Sequence, residues 1–226
     1  MTTNGSITGR VRRLMVESPG SVGGRARARR LELTNSIFPD LQDMTVIDLG
    51  GTVDAWATAH VRPRHVTVIN IEDPGEAQDW ITPVTGDACS AVATLLDAGL
   101  DPTCDVVFSN AVLEHVGGHA NRVRFAESVN ALSSRHWVQT PYRYFPVEPH
   151  WLFPGMQFLP VAARTRIAAV WPLAHSKAES LANARHEILW TELIGMTEMR
   201  DLFPESRIIR ERLAGLTKSL IAVRSD

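Results

Sequence analysis

Three oxygen-bearing side chains fall at the ends of three successive apolar runs: Asp48 in "MTVIDL", Asn70 in "HVTVIN" and Asp87 in "TGDAC". A ligand crossing the carboxyl edge of a parallel sheet would meet them in that order. Their chemistry suits a nucleoside. An acceptor after the second strand can bond ribose hydroxyls, the adjacent Ile71 can pack on a base, and Asp87 can accept from an exocyclic amine. Gly50 and Gly51 follow Asp48 directly, but the chain supplies neither G-x-G-x-x-G nor G-x-x-x-x-G-K-[ST]. Asp54 enters the first turn of the next helix, where it repels a phosphate and suits a cation. A phosphate-free nucleoside with a positive centre meets these constraints.

The elements that must position these residues read as alternating strands and helices. Strands are expected at 44–49, 65–71, 81–86, 104–110 and 136–141, each a short β-branched run of the kind buried on both faces of a parallel sheet. Helices are expected at 53–60, 89–98 and 119–133. The stretch 206–225 reads as a hairpin turning at Ala214-Gly215. The fold class is therefore α/β: a doubly wound, mostly parallel, seven-stranded Rossmann-like sheet closed by a C-terminal antiparallel hairpin. Residues 1–43 are expected to form an arm and helix, and 44–226 one domain. That domain carries a helical and loop cap insert at about 141–205, where an α/β protein keeps ligand selectivity.

Composition sets the outer limits. A chain of 226 residues with 44% apolar and 21% charged residues is long enough for one packed soluble domain and short for two. The formal charge of −2 gives no global reason for a nucleic-acid partner. Arg25, Arg27, Arg29 and Arg30 nonetheless cluster; they read as a solvated helix face, a patch for an anionic substrate or a local nucleic-acid contact. Cys89 and Cys104 lack metal or redox spacing and read as reduced thiols. No run is long and apolar enough for a membrane span or signal core, so the cytoplasm is the expected location. Lysine is replaced almost wholly by arginine, Lys177 and Lys218 excepted, a bias that points to a high-GC genome, for instance an actinobacterial one.

"TVIDLGG", "VTVINIE", "TGDA" and "CDVVFSNAVLEHV", in this order and spacing, resemble class I S-adenosylmethionine-dependent methyltransferases, with small-molecule enzymes of the methyltransferase type 11 kind most similar. The resemblance covers about 44–141, and "SNAVLEHV" is its most specific piece. It implies S-adenosylmethionine as cofactor, with the Gly50–Gly51 backbone beside its methionine part and Asp48 at its amino end. It further implies Asn70 near the ribose, Asp87 and Ala88 at the adenine, and Ser109 and Asn110 along the wall near the sulfonium. Thr52 and Asp54 stand where the family often has further glycines, and Asn70 where it usually has an acid; Glu72 is a candidate to compensate.

Methyl transfer to a hydroxyl needs a proton removed at or near the transition state. His115, after the fourth strand, and His150, in "FPVEPHW", are the candidate bases; the alternative for each is a histidine bonded to loop backbone. A metal reading of Glu114, His115 and His119 is disfavoured because Gly117-Gly118 interrupt the helix that would align the rings, so no metal is expected. In the proline-studded run after 141, Tyr142, Arg143, Tyr144 and Trp151 are candidate acceptor contacts, or else cap core. The absence of N-P-P-Y or D-P-P-Y after the fourth strand points away from exocyclic amines of nucleic acids. The expected activity is methyl transfer to a small-molecule acceptor at oxygen. The alternatives are a catalytically silent methyltransferase-like binding domain and an RNA methyltransferase using the Arg25–Arg30 stretch.

Overall fold

The computed structural model describes residues 22–59, 61–174 and 178–226, with backbone only for 22–28 and 31. The expected arm over the first twenty residues, and the side chains of Arg25 and Arg27, lie outside what is described. Two compact units are present. The larger comprises Pro39–Phe145 and Trp190–Asp226; the smaller comprises Pro146–Leu189 with the described residues through Phe38, among them helix α1 (Val22–Ile37).

The larger unit is built on β1 (Thr45–Leu49), β2 (His65–Asn70), β3 (Ile81–Thr85), β4 (Val106–Asn110) and β5 (His136–Pro141), all mutually parallel. A hairpin of β8 (Arg207–Leu213) and β9 (Leu216–Arg224) adds to them, β9 antiparallel to β5, giving the order β3-β2-β1-β4-β5-β9-β8. Ala214 and Gly215 both have positive φ, +50° and +83°, as the tightest hairpin turns require. Because side chains alternate along a strand, Ile47 and Leu49 face one side and Val46 and Asp48 the other. The first side packs with Ile69, Val107 and Val138 onto α3 (Ala91–Asp97), α4 (His119–Leu132) and α7 (Met196–Leu202) through Leu95, Phe125, Val129 and Met199. Each such buried side chain stabilises the fold by about 1.5–3 kcal/mol.

Strand order reverses between β1 and β4, the switch point outside whose strand ends α/β sheets bind ligands. Helix α2 (Val53–Ala57), after β1, is shorter than the 53–60 expected from the sequence. Thr52 caps its start by accepting from the Ala55 N–H, and Thr58 ends it: its hydroxyl donates back to the carbonyls of Asp54 and Ala55. Expected helix 89–98 begins as a 3-10 turn over Ala88–Ser90 and continues as α3. It stops at Gly99 (φ +70°), with Leu100 and Gly99 donating to the carbonyls of Leu95 and Leu96. The expected strands and the 119–133 helix agree with the structure to within two residues at either end.

In the smaller unit, β6 (Val147–Glu148) and β7 (Phe153–Pro154) form a ribbon, followed by α5 (Val161–Val170) and α6 (Leu181–Trp190). Trp151, Met156, Ala168, Ala184 and Ile188 make its core. From Trp190 the chain belongs to the larger unit again, and α7 packs in the core of the sheet.

Candidate functional site

β1 delivers Asp48, and the turn beyond it is dictated by crowding. Gly50 has φ +86°, and a Cβ there would lie 2.4 Å from Val112 Cγ2; a Cβ on Gly51 would lie 1.8 Å from Asp48 Oδ2. Neither position tolerates a side chain. Asp48 is buried, and its Oδ2 accepts the Trp56 indole N–H at 2.6 Å. Burial pushes its carboxyl up to about 7 from the ordinary 3.8, against the downward pull of the indole bond.

β2 delivers Asn70. Its Nδ2 donates to the carbonyls of Gly50 (3.2 Å) and Gly51 (2.8 Å), and its Oδ1 accepts from the Glu72 N–H at 3.0 Å. The amide is thus turned onto the glycine turn. Ile71 beside it is 74% exposed, an unusual position for an isoleucine and an apolar surface at the crevice edge. After β3, Asp87 Oδ1 accepts from the Cys89 N–H and starts the turn that holds the buried Ala88. At the end of β4 the fully buried Ser109 donates its hydroxyl to the Leu49 carbonyl at 2.9 Å, tying β4 to β1. Asn110 follows, exposed, and then Ala111 with φ +60°. The ends of β1, β2, β3 and β4 therefore gather Asp48, Gly50, Gly51, Asn70, Ile71, Asp87, Ala88, Ser109 and Asn110 along one sheet edge.

His115 closes the 3-10 turn Leu113–His115 and is exposed. The preceding Glu114 is buried and accepts from the Thr140 hydroxyl at 2.8 Å. His119 has a different partner: its Nδ1 lies 3.0 Å from Glu198 Oε1. Gly117 and Gly118 both take positive φ, +83° and +86°, so the helix begins only at His119. Tyr142 and Tyr144 meet edge to face at 5.5 Å, Tyr144 being 61% exposed, and the Arg143 N–H donates to the Ile194 carbonyl.

In the smaller unit, buried Glu148 accepts from His150 Nδ1 (2.7 Å), the His150 N–H (2.8 Å) and the Trp151 N–H (2.9 Å). Trp151 is core there, with the Trp171 indole donating to its carbonyl at 2.7 Å. Of the arginine cluster, Arg29 is exposed and Arg30 half-buried. Cys89 and Cys104 are both pushed up to about 12, by burial first, so they stay protonated and unreactive.

Two participants lay beyond sequence reasoning. Trp56 looked like one more apolar residue of a short helix, yet it is the hydrogen-bond partner of Asp48. Glu148 was visible only as a loop acid two residues before His150, and an acid two residues before a histidine carries no geometric signal of its own.

The donor set fits a phosphate-free, cationic nucleoside. The carboxyl of Asp48 lies against the glycine turn, and the N-terminus of α2 is taken by Thr52, with Asp54 in its first turn. No helix among the described residues is long and apolar enough to cross a membrane. No family model matches the sequence, and no curated protein matches it. Solved structures do. The magnesium protoporphyrin IX methyltransferase of Synechocystis, solved with bound S-adenosylmethionine, is 12% identical with a TM-score of 0.51, over 96% of this chain and 92% of its own. The 1,6-didemethyltoxoflavin N1-methyltransferase of Burkholderia thailandensis, solved with its substrate and S-adenosylhomocysteine, is 15% identical with a TM-score of 0.50, over 89% and 79%. A cyclopropane-fatty-acyl-phospholipid synthase-like protein of Lactobacillus casei is 12% identical with a TM-score of 0.51, over 92% and 80%. The chain has the fold of class I S-adenosylmethionine-dependent methyltransferases.

Proposed function

We propose that this protein is an S-adenosylmethionine-dependent methyltransferase that methylates a small-molecule acceptor at oxygen. The observation that carries the reading is the glycine turn pressed against a buried Asp48 at the switch point of this sheet. Asp48 and the Gly50–Gly51 backbone take the amino-acid end of the cofactor, where the ammonium group offsets the burial of the Asp48 carboxylate and favours its ionised form. Ile71 packs on the adenine, Asp87 and Ala88 line its edge, and Ser109 and Asn110 form the wall towards the sulfonium. Bound, the cofactor supplies an electrophilic methyl group for direct displacement, so the protein's part is alignment and proton removal. His115 and His150 are the bases we assign, and Tyr142, Arg143 and Tyr144 the acceptor contacts, Trp151 being core. Toxoflavin and porphyrin relatives carry different acceptors, so the choice of oxygen rests on this chain: on "SNAV" after the fourth strand and on two histidines suited to deprotonating a hydroxyl.

A second reading, a silent cofactor-binding domain, is favoured by Asp48 and Asn70 being engaged within the protein. Calorimetric titration with S-adenosylmethionine and S-adenosylhomocysteine tests both. No binding of either at about 1 mM, an affinity near −4 kcal/mol, overturns the cofactor assignment. Binding together with methyl transfer from labelled cofactor to hydroxyl acceptors, and not to matched amines, supports the first reading. Binding without transfer to any acceptor class supports the second.

A further inference from the structure

The dinucleotide-type crossing uses the acid after its second strand to hold ribose hydroxyls. Here that place belongs to Asn70, which the sequence presents as a weakened acid. The geometry gives it another task. Two backbone carbonyls, those of Gly50 and Gly51, lie 3.2 and 2.8 Å from Nδ2, and the Glu72 N–H lies 3.0 Å from Oδ1. Only an amide meets this set, because the side chain must donate twice on one side and accept on the other. A carboxylate would set negative oxygen against two carbonyl oxygens, losing both hydrogen bonds and adding repulsion.

Acids nearby divide clearly. Asp73 is engaged with its own turn, its Oδ1 accepting from the Gly75 N–H at 3.0 Å. Glu72 is exposed at the carboxyl end of β2, and its backbone N–H is held there by the Asn70 side-chain Oδ1 in an Asx turn. We propose that Asn70 is a positioning residue that staples the Gly50–Gly51 turn, and that Glu72 supplies the carboxylate for the ribose hydroxyls. The proposal rests on the nucleoside-cofactor reading of this edge and deepens it.

The experiment pairs thermal unfolding of the unliganded protein with S-adenosylhomocysteine titration for the wild type, Asn70→Ala, Asn70→Asp and Glu72→Gln. A staple predicts that Asn70→Ala lowers Tm by about 2–4 °C and that Asn70→Asp, with its added repulsion, lowers it further. Affinity follows the same order, with Asn70→Asp at least about tenfold weaker than wild type. Glu72→Gln keeps the wild-type Tm and weakens S-adenosylhomocysteine about tenfold. It binds the 2′,3′-dideoxy analogue as well as the wild type does. Asn70→Asp binding as tightly as wild type, or more tightly, with an unchanged Tm would make Asn70 the ribose ligand and overturn the staple. Wild-type affinity in Glu72→Gln overturns the role of Glu72. If the wild type itself binds no S-adenosylhomocysteine, the function reading fails, while the Tm order of the Asn70 variants still decides whether the staple exists.

Discussion

Asp48 accepts the indole N–H of Trp56 at 2.6 Å across a separation of eight residues, and both side chains are buried. The indole in turn meets Phe108 edge-on at 5.4 Å, and Phe108 stacks on Trp137 at 6.5 Å. Strand register accounts for the arrangement, since Asp48 pairs with Phe108 and Phe108 with Trp137, placing all three on one face. An acid thus stands at the end of an aromatic row, held by the Trp56 indole, and its carboxyl is pushed up to about 7 by burial. The folded state binds more protons than the unfolded state between about 4 and 7, so this group's contribution to stability falls as pH rises through that window.

Asp48→Asn therefore stabilises the unliganded protein at pH 8. The amide oxygen still accepts from Trp56, and no buried charge forms. A shift of about three pH units corresponds to about 4 kcal/mol as an upper bound. We expect a Tm several degrees above wild type at pH 8 and a gap less than half as large at pH 5, where the folded carboxyl is protonated but the unfolded one is still ionised. Affinity for S-adenosylhomocysteine falls in the same variant. Melts at the two pH values, with calorimetry at pH 8, check both halves.

His136 titrates in the opposite sense. Its Nε2 lies 2.7 Å from Ser206 Oγ, and burial, aided by Arg224, lowers its pKa from 6.5 to about 4. The unfolded chain takes up this proton first as pH falls below 6.5, so the stability contributed by neutral His136 is lost between about 6.5 and 4. Over the same range Asp48 gains. Wild-type Tm is then nearly flat from pH 6.5 to 5, whereas Asp48→Asn, keeping only the His136 slope, loses Tm as pH is lowered. Parallel curves for the two proteins would refute the pairing.

The sheet was legible because each strand is a short β-branched run with a turn signal after it, and the Ala214–Gly215 hairpin announced itself through its glycine. The edge residues were legible as types at positions, since a strand's end fixes where its last polar side chain stands. What those side chains bond to was not legible. Asn70 reads in sequence as a substitute acid, and only the approach of two glycine carbonyls from another strand-end shows why an amide is there. Trp56 and Thr58 show the same limit: one meets a residue of β1, and the other ends its helix through its own hydroxyl.

Alanine at either turn glycine separates strain from crowding. At Gly50 the φ of +86° costs any other residue about 1 kcal/mol or more, and Val112 also blocks the Cβ. Gly50→Ala is expected to lower Tm and cofactor affinity, and adding Val112→Ala recovers only part, because the backbone strain stays. At Gly51 no positive φ is involved; the obstacle is the Asp48 carboxylate itself. Gly51→Ala combined with Asp48→Gly should restore most of the Tm and none of the affinity. Melting and titration of the four variants read this directly.

Arg122 is 4% exposed and bonds Glu192 at 2.9 Å and Glu198 at 2.7 Å, joining α4 to α7. Burial raises the Glu198 carboxyl, but hydrogen bonds from His119 and Arg122 outweigh it and leave it below the usual range. That stability is present above the ordinary carboxylate pKa and lost as pH falls. The acids are only partly buried, so the cost of Arg122→Ala is set below that of a fully buried pair, at about 1–3 kcal/mol. Urea unfolding at pH 7 measures it, and the deficit narrows at pH 4.

His150 is the residue whose environment most resembles a prepared base. Glu148, buried, receives the imidazole Nδ1 and two backbone N–H groups, so both the ring and the loop carrying it are fixed by one carboxylate. With Nδ1 donating, the proton-accepting nitrogen is Nε2. His150→Ala is expected to lower turnover about 10²–10⁴-fold with cofactor affinity unchanged. Glu148→Gln keeps the shape but loses the charge that selects this tautomer, so turnover falls while the KM for cofactor holds. His115 is exposed at the end of its 3-10 turn, less fixed in place than His150, and His115→Ala is expected to cost less. The comparison is made on kcat with the acceptor saturating. A His150→Ala enzyme with near-normal kcat, beside a His115→Ala enzyme without activity, would move the base to the end of β4.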